Sequence, residues 1–173
     1  MGNGRLTPVP ISWGFPKWDG KGTIINARCE TALSKPTFSK PLLTRRCVIP
    51  STGFYEWAHA KAYEEQISLF PDAPESSPSP KDKKVKLLFR RPGELMLYMA
   101  WMIGTSVDAT GAPKDCFCIL TTEAKHSISR FHMRMPVILS AHEREDWITG
   151  DTFMREVLAR DGPELEWNPA AAG

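Results

Sequence analysis

Three short runs set a polar, proton-carrying or hydrogen-bonding residue into apolar surroundings. In Gly53-Phe54-Tyr55-Glu56-Trp57 a carboxylate stands among aromatic rings. As a strand, this run turns Phe54 and Glu56 to one face and Tyr55 and Trp57 to the other. A carboxylate pressed into such a setting is costly to keep ionised, so burial raises its pKa into the range of a general acid or proton shuttle. On an edge strand the same Glu keeps its head in water and does no chemistry. In Arg130-Phe131-His132-Met133-Arg134-Met135-Pro136, His132 comes just before the apolar run Val137 to Leu139. It is either a proton carrier near neutral pH or a satisfied structural imidazole. In Ile24-Ile25-Asn26-Ala27-Arg28, Asn26 either forms a turn or presents amide donors and an acceptor at a strand end. His59, His126 and His142 lie in polar stretches and read as surface residues.

The four cysteines, Cys29, Cys47, Cys116 and Cys118, include no pair at the two-residue gap of a zinc knuckle or dithiol redox motif. Cys116 and Cys118 share a strand face and read as small buried hydrophobes in a reducing compartment. No metal and no cofactor is implied. A thiol hydrolase built on Cys47 or Cys29 with His132 is disfavoured, because an apolar strand suppresses the thiolate.

The elements that must position these residues are short. Thr23 to Ile25, Cys47 to Ile49, Gly53 to Trp57 and Cys116 to Thr121 read as strands. Val85 to Phe89 and Leu95 to Ile103 read as a strand pair turning at Pro92-Gly93. Pro36 and Pro41 keep any helix in 30–45 short. Thr122 is a candidate cap for a helix towards Arg130, and Asp151 for one through Leu158. Ser140 and Glu143 have capping-box spacing. Residues 71–84 carry four prolines, three serines and many charges, and read as a mobile insertion. Residues 163–173 read as a loose tail. Short strands and helices without regular alternation argue for an α+β fold with a mostly antiparallel sheet or barrel.

The chain has 173 residues and a net charge of +2, which suggests one domain spanning 1–173. Residues 1–50 hold eight Lys and Arg against two acidic residues, whereas 141–173 hold three Arg against eight. Such asymmetry suits an anionic partner at the basic half. No apolar run is long enough for a membrane span, and no secretory signal is visible, so a cytosolic monomer is the default expectation.

Taken in order, the runs Trp13 to Trp18, Ile25 to Thr31, Arg45 to Pro50, Gly53 to Trp57, Thr121 to Ala124 and His132 to Leu139 resemble the motif set of the SRAP (SOS response-associated peptidase) family. The resemblance runs from about Trp13 to Trp147. It implies an α+β fold whose bifurcated, mostly antiparallel sheet forms a small barrel flanked by short helices. It also implies binding of single-stranded DNA that carries abasic sites, and a thiazolidine crosslink made by an N-terminal cysteine. A peptidase activity has been proposed for such proteins. By motif, Asn26 would orient the N-terminal residue or the sugar, Glu56 would assist ring opening, and His132 would protonate or stabilise the sugar hydroxyl. Arg28 and Arg134 would hold phosphates, Trp18 would stack on bases, and Thr121 would line the same pocket. The family begins Met-Cys-Gly-Arg, where this sequence reads Met1-Gly2-Asn3-Gly4-Arg5. Roughly forty to fifty residues ahead of the Trp-Gly motif are missing relative to the family, enough for several strands at about five to six residues each. Met133 stands where relatives usually carry a polar residue.

Overall fold

The computed structural model describes residues 11–17, 19–67, 84–107 and 110–170. Trp18 and the 71–84 insertion, up to the strand residue Lys84, lie outside the described residues. In chain order the elements are β1 (Ser12–Trp13), β2 (Phe15–Pro16), β3 (Thr23–Ile24), β4 (Asn26–Arg28), α1 (Cys29–Ala32), α2 (Pro36–Thr44), β5 (Arg46–Ser51), β6 (Phe54–His59) and α3 (Ala60–Ile67). There follow β7 (Lys84–Arg90), β8 (Leu97–Val107), β9 (Pro113–Glu123), a 3-10 turn (His126–Arg130), β10 (Arg134–Pro136), β11 (Ile138–Leu139), α4 (Arg144–Thr149), α5 (Asp151–Ala159) and β12 (Glu166–Pro169).

The spine is the antiparallel pair β8–β9, in register from Trp101 opposite Ile119 to Val107 opposite Pro113. Beyond the Trp101–Ile119 pair the two strands splay, and the chain of β10 and β11 enters the gap. β10 pairs with β9 at Thr121 to Glu123, while β11 pairs with β8 at Tyr98 and Met99. Val137, between them, accepts from Ala100 N–H at 2.9 Å through its carbonyl and donates to the Leu120 carbonyl at 2.9 Å. One residue thus joins both arms of a bifurcated sheet. β5 flanks β8 on its other edge, and β1 and β4 run parallel to β9 on its far side. A second sheet, β12-β7-β6, is a separate layer, and β2 with β3 makes a two-stranded ribbon.

The α+β class holds, and most pairings are antiparallel, but the described strands do not close into a barrel. The reason lies in how β8 is covered. From Leu97 to Gly104 its residues are buried or nearly so, as expected of a strand packed on both faces. One face of the large sheet offers Ala100, Met102, Cys118 and Leu120 to Phe38, Leu42, Trp147 and Met154 of the helices. The other offers Leu97, Met99 and Trp101 to Leu87 and Phe89 of the second sheet. The second sheet therefore stacks on the first through side chains instead of joining it edge to edge.

The same packing overturns the strand pair expected across Pro92-Gly93. β7 pairs with β6 and β12, whereas β8 pairs with β5, β9 and β11, so that turn carries the chain from one sheet to the other. The tail at 163–173 is not loose over Glu166–Pro169. β12 pairs with β7, and the Trp167 ring meets Phe131 at 4.9 Å and Tyr63 at 6.0 Å. Thr122 caps no helix: β9 runs through it to pair with Met135, and only a single 3-10 turn follows. Asp151 opens α5 but supplies no side-chain cap, the N-cap being Gly150. Half of the capping box forms. The Glu143 carboxylate accepts from the Ser140 N–H at 2.7 Å, but the Ser140 hydroxyl has no partner among the described residues. Arg160 bonds the same carboxylate and, with Ser140, holds its pKa down at about 2.

β6 carries Glu56, and its start depends on Gly53. A β-carbon there would lie 2.6 Å from the Phe89 carbonyl oxygen and 2.8 Å from a Leu88 methyl. Gly53→Ala is expected to cost roughly 1–3 kcal/mol by forcing β6 away from β7. A urea melt reads the loss; an unchanged midpoint would mean the strands separate without strain.

Candidate functional site

Glu56 faces inward from β6 between Phe54 and Ala58, towards the core shared by Leu87, Phe89 and Phe131. Its side chain is 26% exposed. Burial pushes its pKa above the ordinary carboxylate value, opposed by the nearby His132 and by a hydrogen bond from the Trp57 N–H. His132 is delivered by the end of the 3-10 turn. Phe131 anchors that end in the core against Phe89 and Trp167, and the backbone N–H groups of Phe131 and His132 both donate to the Ile128 carbonyl, at 2.9 and 3.0 Å. The imidazole Nε2 then lies 3.7 Å from Glu56 Oε2. Its Nδ1 lies 2.8 Å from the Arg134 carbonyl oxygen and 3.2 Å from the Arg134 N–H. An Nδ1–H donating to that carbonyl leaves the Nε2 lone pair towards Glu56. A carboxylic acid beside an imidazole nitrogen, partly shielded from water, can pass a proton in either direction.

From His132 the polar chain continues. Arg134 Nη2 donates to the Thr121 carbonyl at 2.5 Å and reaches the Thr121 hydroxyl at 3.3 Å. Arg134 also forks onto Glu30, at 2.6 and 2.9 Å. Thr121 stands in register with Arg28 across β9 and β4. Asn26 and Arg28 project from the exposed side of β4, with the buried Ala27 between them. Neither side chain makes a hydrogen bond or ion pair among the described residues. The fold therefore brings Glu56 to His132, and His132, Arg134, Thr121 and Arg28 into one sequence of neighbours. Asn26 lies on the same face of β4 as Arg28, opposite Ile119, and is not hydrogen-bonded to Glu56 or His132. Trp18 lies outside the described residues. An open depression of ≈ 420 Å³ is lined by His59, Arg130, His132 and Arg134.

Exposed aromatic residues escaped the sequence reading of candidate sites. Tyr55 and Trp57 are each 53% exposed on the outer face of β6, with Lys86 Nζ 4.0 Å above the Tyr55 ring. Trp13, 52% exposed, stacks on Phe117 and donates from its Nε1 to the Ile25 carbonyl at 3.1 Å. The strand alternation that turned Glu56 inward was the available signal for Tyr55 and Trp57. Burial disfavours the thiolate at each cysteine. Burial pushes Cys47 and Cys118 up to about 12 and raises Cys29 and Cys116 as well. No cluster of His, Cys, Asp or Glu suited to a metal occurs among the described residues, and no helix among them is long and apolar enough to cross a membrane.

Comparison with known proteins identifies the family. The chain is 33% identical over 166 residues to the abasic site processing protein YoaM of Bacillus subtilis, covering 90% of this chain and 65% of the relative. It is 30% identical over 143 residues to the abasic site processing protein HMCES of Gallus gallus, covering 81% of this chain and 41% of the relative. Against YoqW of B. subtilis it spans 55% of the relative's length. A crystal structure of a Bacteroides thetaiotaomicron protein superposes with a TM-score of 0.68 at 25% identity, over 92% of this chain and 67% of the other. The family model described as SOS response associated peptidase (SRAP) matches residues 3–171, and with the Bacillus relative it shows that this chain belongs to the SRAP family of abasic site processing proteins.

Proposed function

We propose that the protein binds single-stranded DNA at an abasic site and uses Glu56 and His132 to open the deoxyribose ring to its aldehyde. The observation that carries this reading is the Glu56–His132 contact at 3.7 Å, half-shielded beside strands rich in cations and exposed rings. Glu56, its pKa raised by burial, holds a proton to higher pH than a solvated carboxylate and donates it to the ring oxygen. His132 Nε2 takes up a proton from the sugar hydroxyl and can return it. Arg28, with no ion pair among the described residues, takes a phosphate on one side, and Arg134 presents part of its guanidinium on the other. Asn26, on the same exposed face of β4 as Arg28, orients the sugar oxygens.

The crosslink that the family resemblance implies needs an amine and a thiol on one residue. Residues 1–10 contain no cysteine, so this sequence supports non-covalent binding and supplies no crosslinking group. Raised thiol pKa values at all four cysteines give no support to thiol peptidase chemistry. Four free thiols fit a reducing cytosol, where the protein acts as a monomer.

Single-stranded DNA carrying one abasic site, incubated with the protein, is expected to shift in a native gel and to run free in a denaturing gel. Arg28→Ala is expected to weaken the native complex and to reduce the dependence of log K on log salt by about 1. Equal affinity for intact and abasic strands, with no effect at Arg28, would refute the assignment.

A further inference from the structure

We infer that Glu30 is a positioning residue for His132, acting through Arg134; this rests on the proton-carrying role proposed above for His132. Glu30 lies in the first turn of α1, just after β4, and is 104 positions from Arg134 in sequence. Its two carboxylate oxygens accept from Arg134 Nη1 at 2.6 Å and Nη2 at 2.9 Å, a fork-to-fork arrangement that fixes the guanidinium plane. Nη2 donates also to the Thr121 carbonyl, and Nε is closed off from solvent with no acceptor among the described residues. The guanidinium is thereby tied to α1 and to β9 while its backbone belongs to β10.

What this pins is the backbone that aims the imidazole. The polar partners of the His132 ring among the described residues are Glu56 at Nε2 and the Arg134 backbone at Nδ1. The ring is otherwise exposed, and the Met133 side chain between is 81% exposed, its carbonyl accepting from the Ala124 N–H at 2.9 Å. Backbone bonds hold the 132–134 turn on β9, and the Arg134 side chain is the anchor that ties it also to α1. The carbonyl acceptor 2.8 Å from Nδ1 lies closer than the Arg134 N–H at 3.2 Å, which favours the tautomer with hydrogen on Nδ1 and leaves the Nε2 lone pair facing Glu56. Glu30 also cancels charge on Arg134, so its presence does not strengthen the attraction of phosphate. Its contribution is to geometry, and removing it should separate DNA affinity from imidazole orientation.

The test uses the full chain with 15N-labelled histidine. In the wild type, His132 is expected to show the ring nitrogen shifts of an Nδ1-protonated tautomer. In Glu30→Gln these move towards a mixture of tautomers, and in Glu30→Asp they lie between the two. His126, at the far end of the 3-10 turn, and His142, in the turn before α4, serve as controls for the fold. Should Glu30→Gln disturb those controls, Arg134→Lys, which keeps the charge without the fork, is read for the same shift. Affinity for single-stranded DNA holding a tetrahydrofuran abasic analogue is expected to stay within about threefold of wild type, or to tighten, in Glu30→Gln. Unmoved His132 shifts in both variants overturn the inference, as does a weakened affinity without a His132 shift. Absence of DNA binding by every form, wild type included, with the His132 shift still seen, overturns the proposed function and leaves the coupling of Glu30 to His132 standing.

Discussion

Glu56→Gln is expected to slow capture of an abasic site by about 10²–10⁴-fold, the usual contribution of a positioned general acid, and at the same time to make the fold more stable at neutral pH. The rate is read in a version extended upstream with a family-type Met-Cys-Gly-Arg segment, as the growth of a heat-stable DNA–protein band with time. The stability gain follows from the direction of the Glu56 shift. Its pKa is higher folded than unfolded because burial disfavours the charge. The folded state therefore holds the proton more tightly, and stability falls as pH rises from the unfolded value through the folded one. Above that window the wild type carries an ionised carboxylate that the fold resists, and Gln removes it. Denaturant melts at low and neutral pH should agree for the two proteins at the acid end and diverge at the neutral end, with Gln the more stable. Equal crosslinking rates would remove Glu56 from the chemistry, whatever the melts show.

Arg46→Ala should unfold the helical side of the protein more readily than any change at the site. The Arg46 side chain is 3% exposed. Its Nε donates to the Trp147 carbonyl at 2.6 Å, Nη1 to Leu42 and Leu43 at 2.9 and 3.2 Å, and Nη2 to Ile148 at 3.1 Å. Those acceptors lie in the last turns of α2 and α4, where backbone carbonyls have no partner of their own. One guanidinium thus closes two helix ends and ties both to β5. Its ion pair with Asp151, at 3.0 Å, adds less, because that carboxylate is 67% exposed. Removing the cation leaves several buried carbonyls unsatisfied together, at a cost of roughly 3–5 kcal/mol by comparison with other broken buried networks. For a chain of this length that lowers Tm by about 6–20 °C. Arg46→Lys, with one donor head in place of a fork, should recover only part of it. A loss under about 1 kcal/mol in Arg46→Ala would show that water reaches these helix ends.

Several site residues were legible because their signals are local. Strand alternation in Gly53 to Trp57 set Glu56 against Tyr55 and Trp57, and the structure keeps that division. Cys116 and Cys118 share a buried face as their spacing requires. His132 could be singled out by its place before an apolar strand, but its contact with Glu56 spans 76 positions, and no local pattern encodes it. Glu30 and Arg46 gave no sign of their roles, since an Arg or Glu in a short polar stretch most often points into water. The turn at Pro92-Gly93 was read correctly as a turn and wrongly as a hairpin. A tight turn sets the direction of the chain but not which edge the next strand pairs with.

The sequence by itself determined the family, the α+β class, the faces of the strands and the residue types able to move a proton, because these follow from composition, alternation and motif order along the chain. Tertiary structure alone decided that β8 and β9 splay to admit β10 and β11, that β12 completes the second sheet, and that Glu30, Arg134, His132 and Glu56 form one connected line. Those outcomes depend on burying both faces of β8 and on pairing polar groups far apart in sequence, and such long-range accounting settles only when the whole core closes.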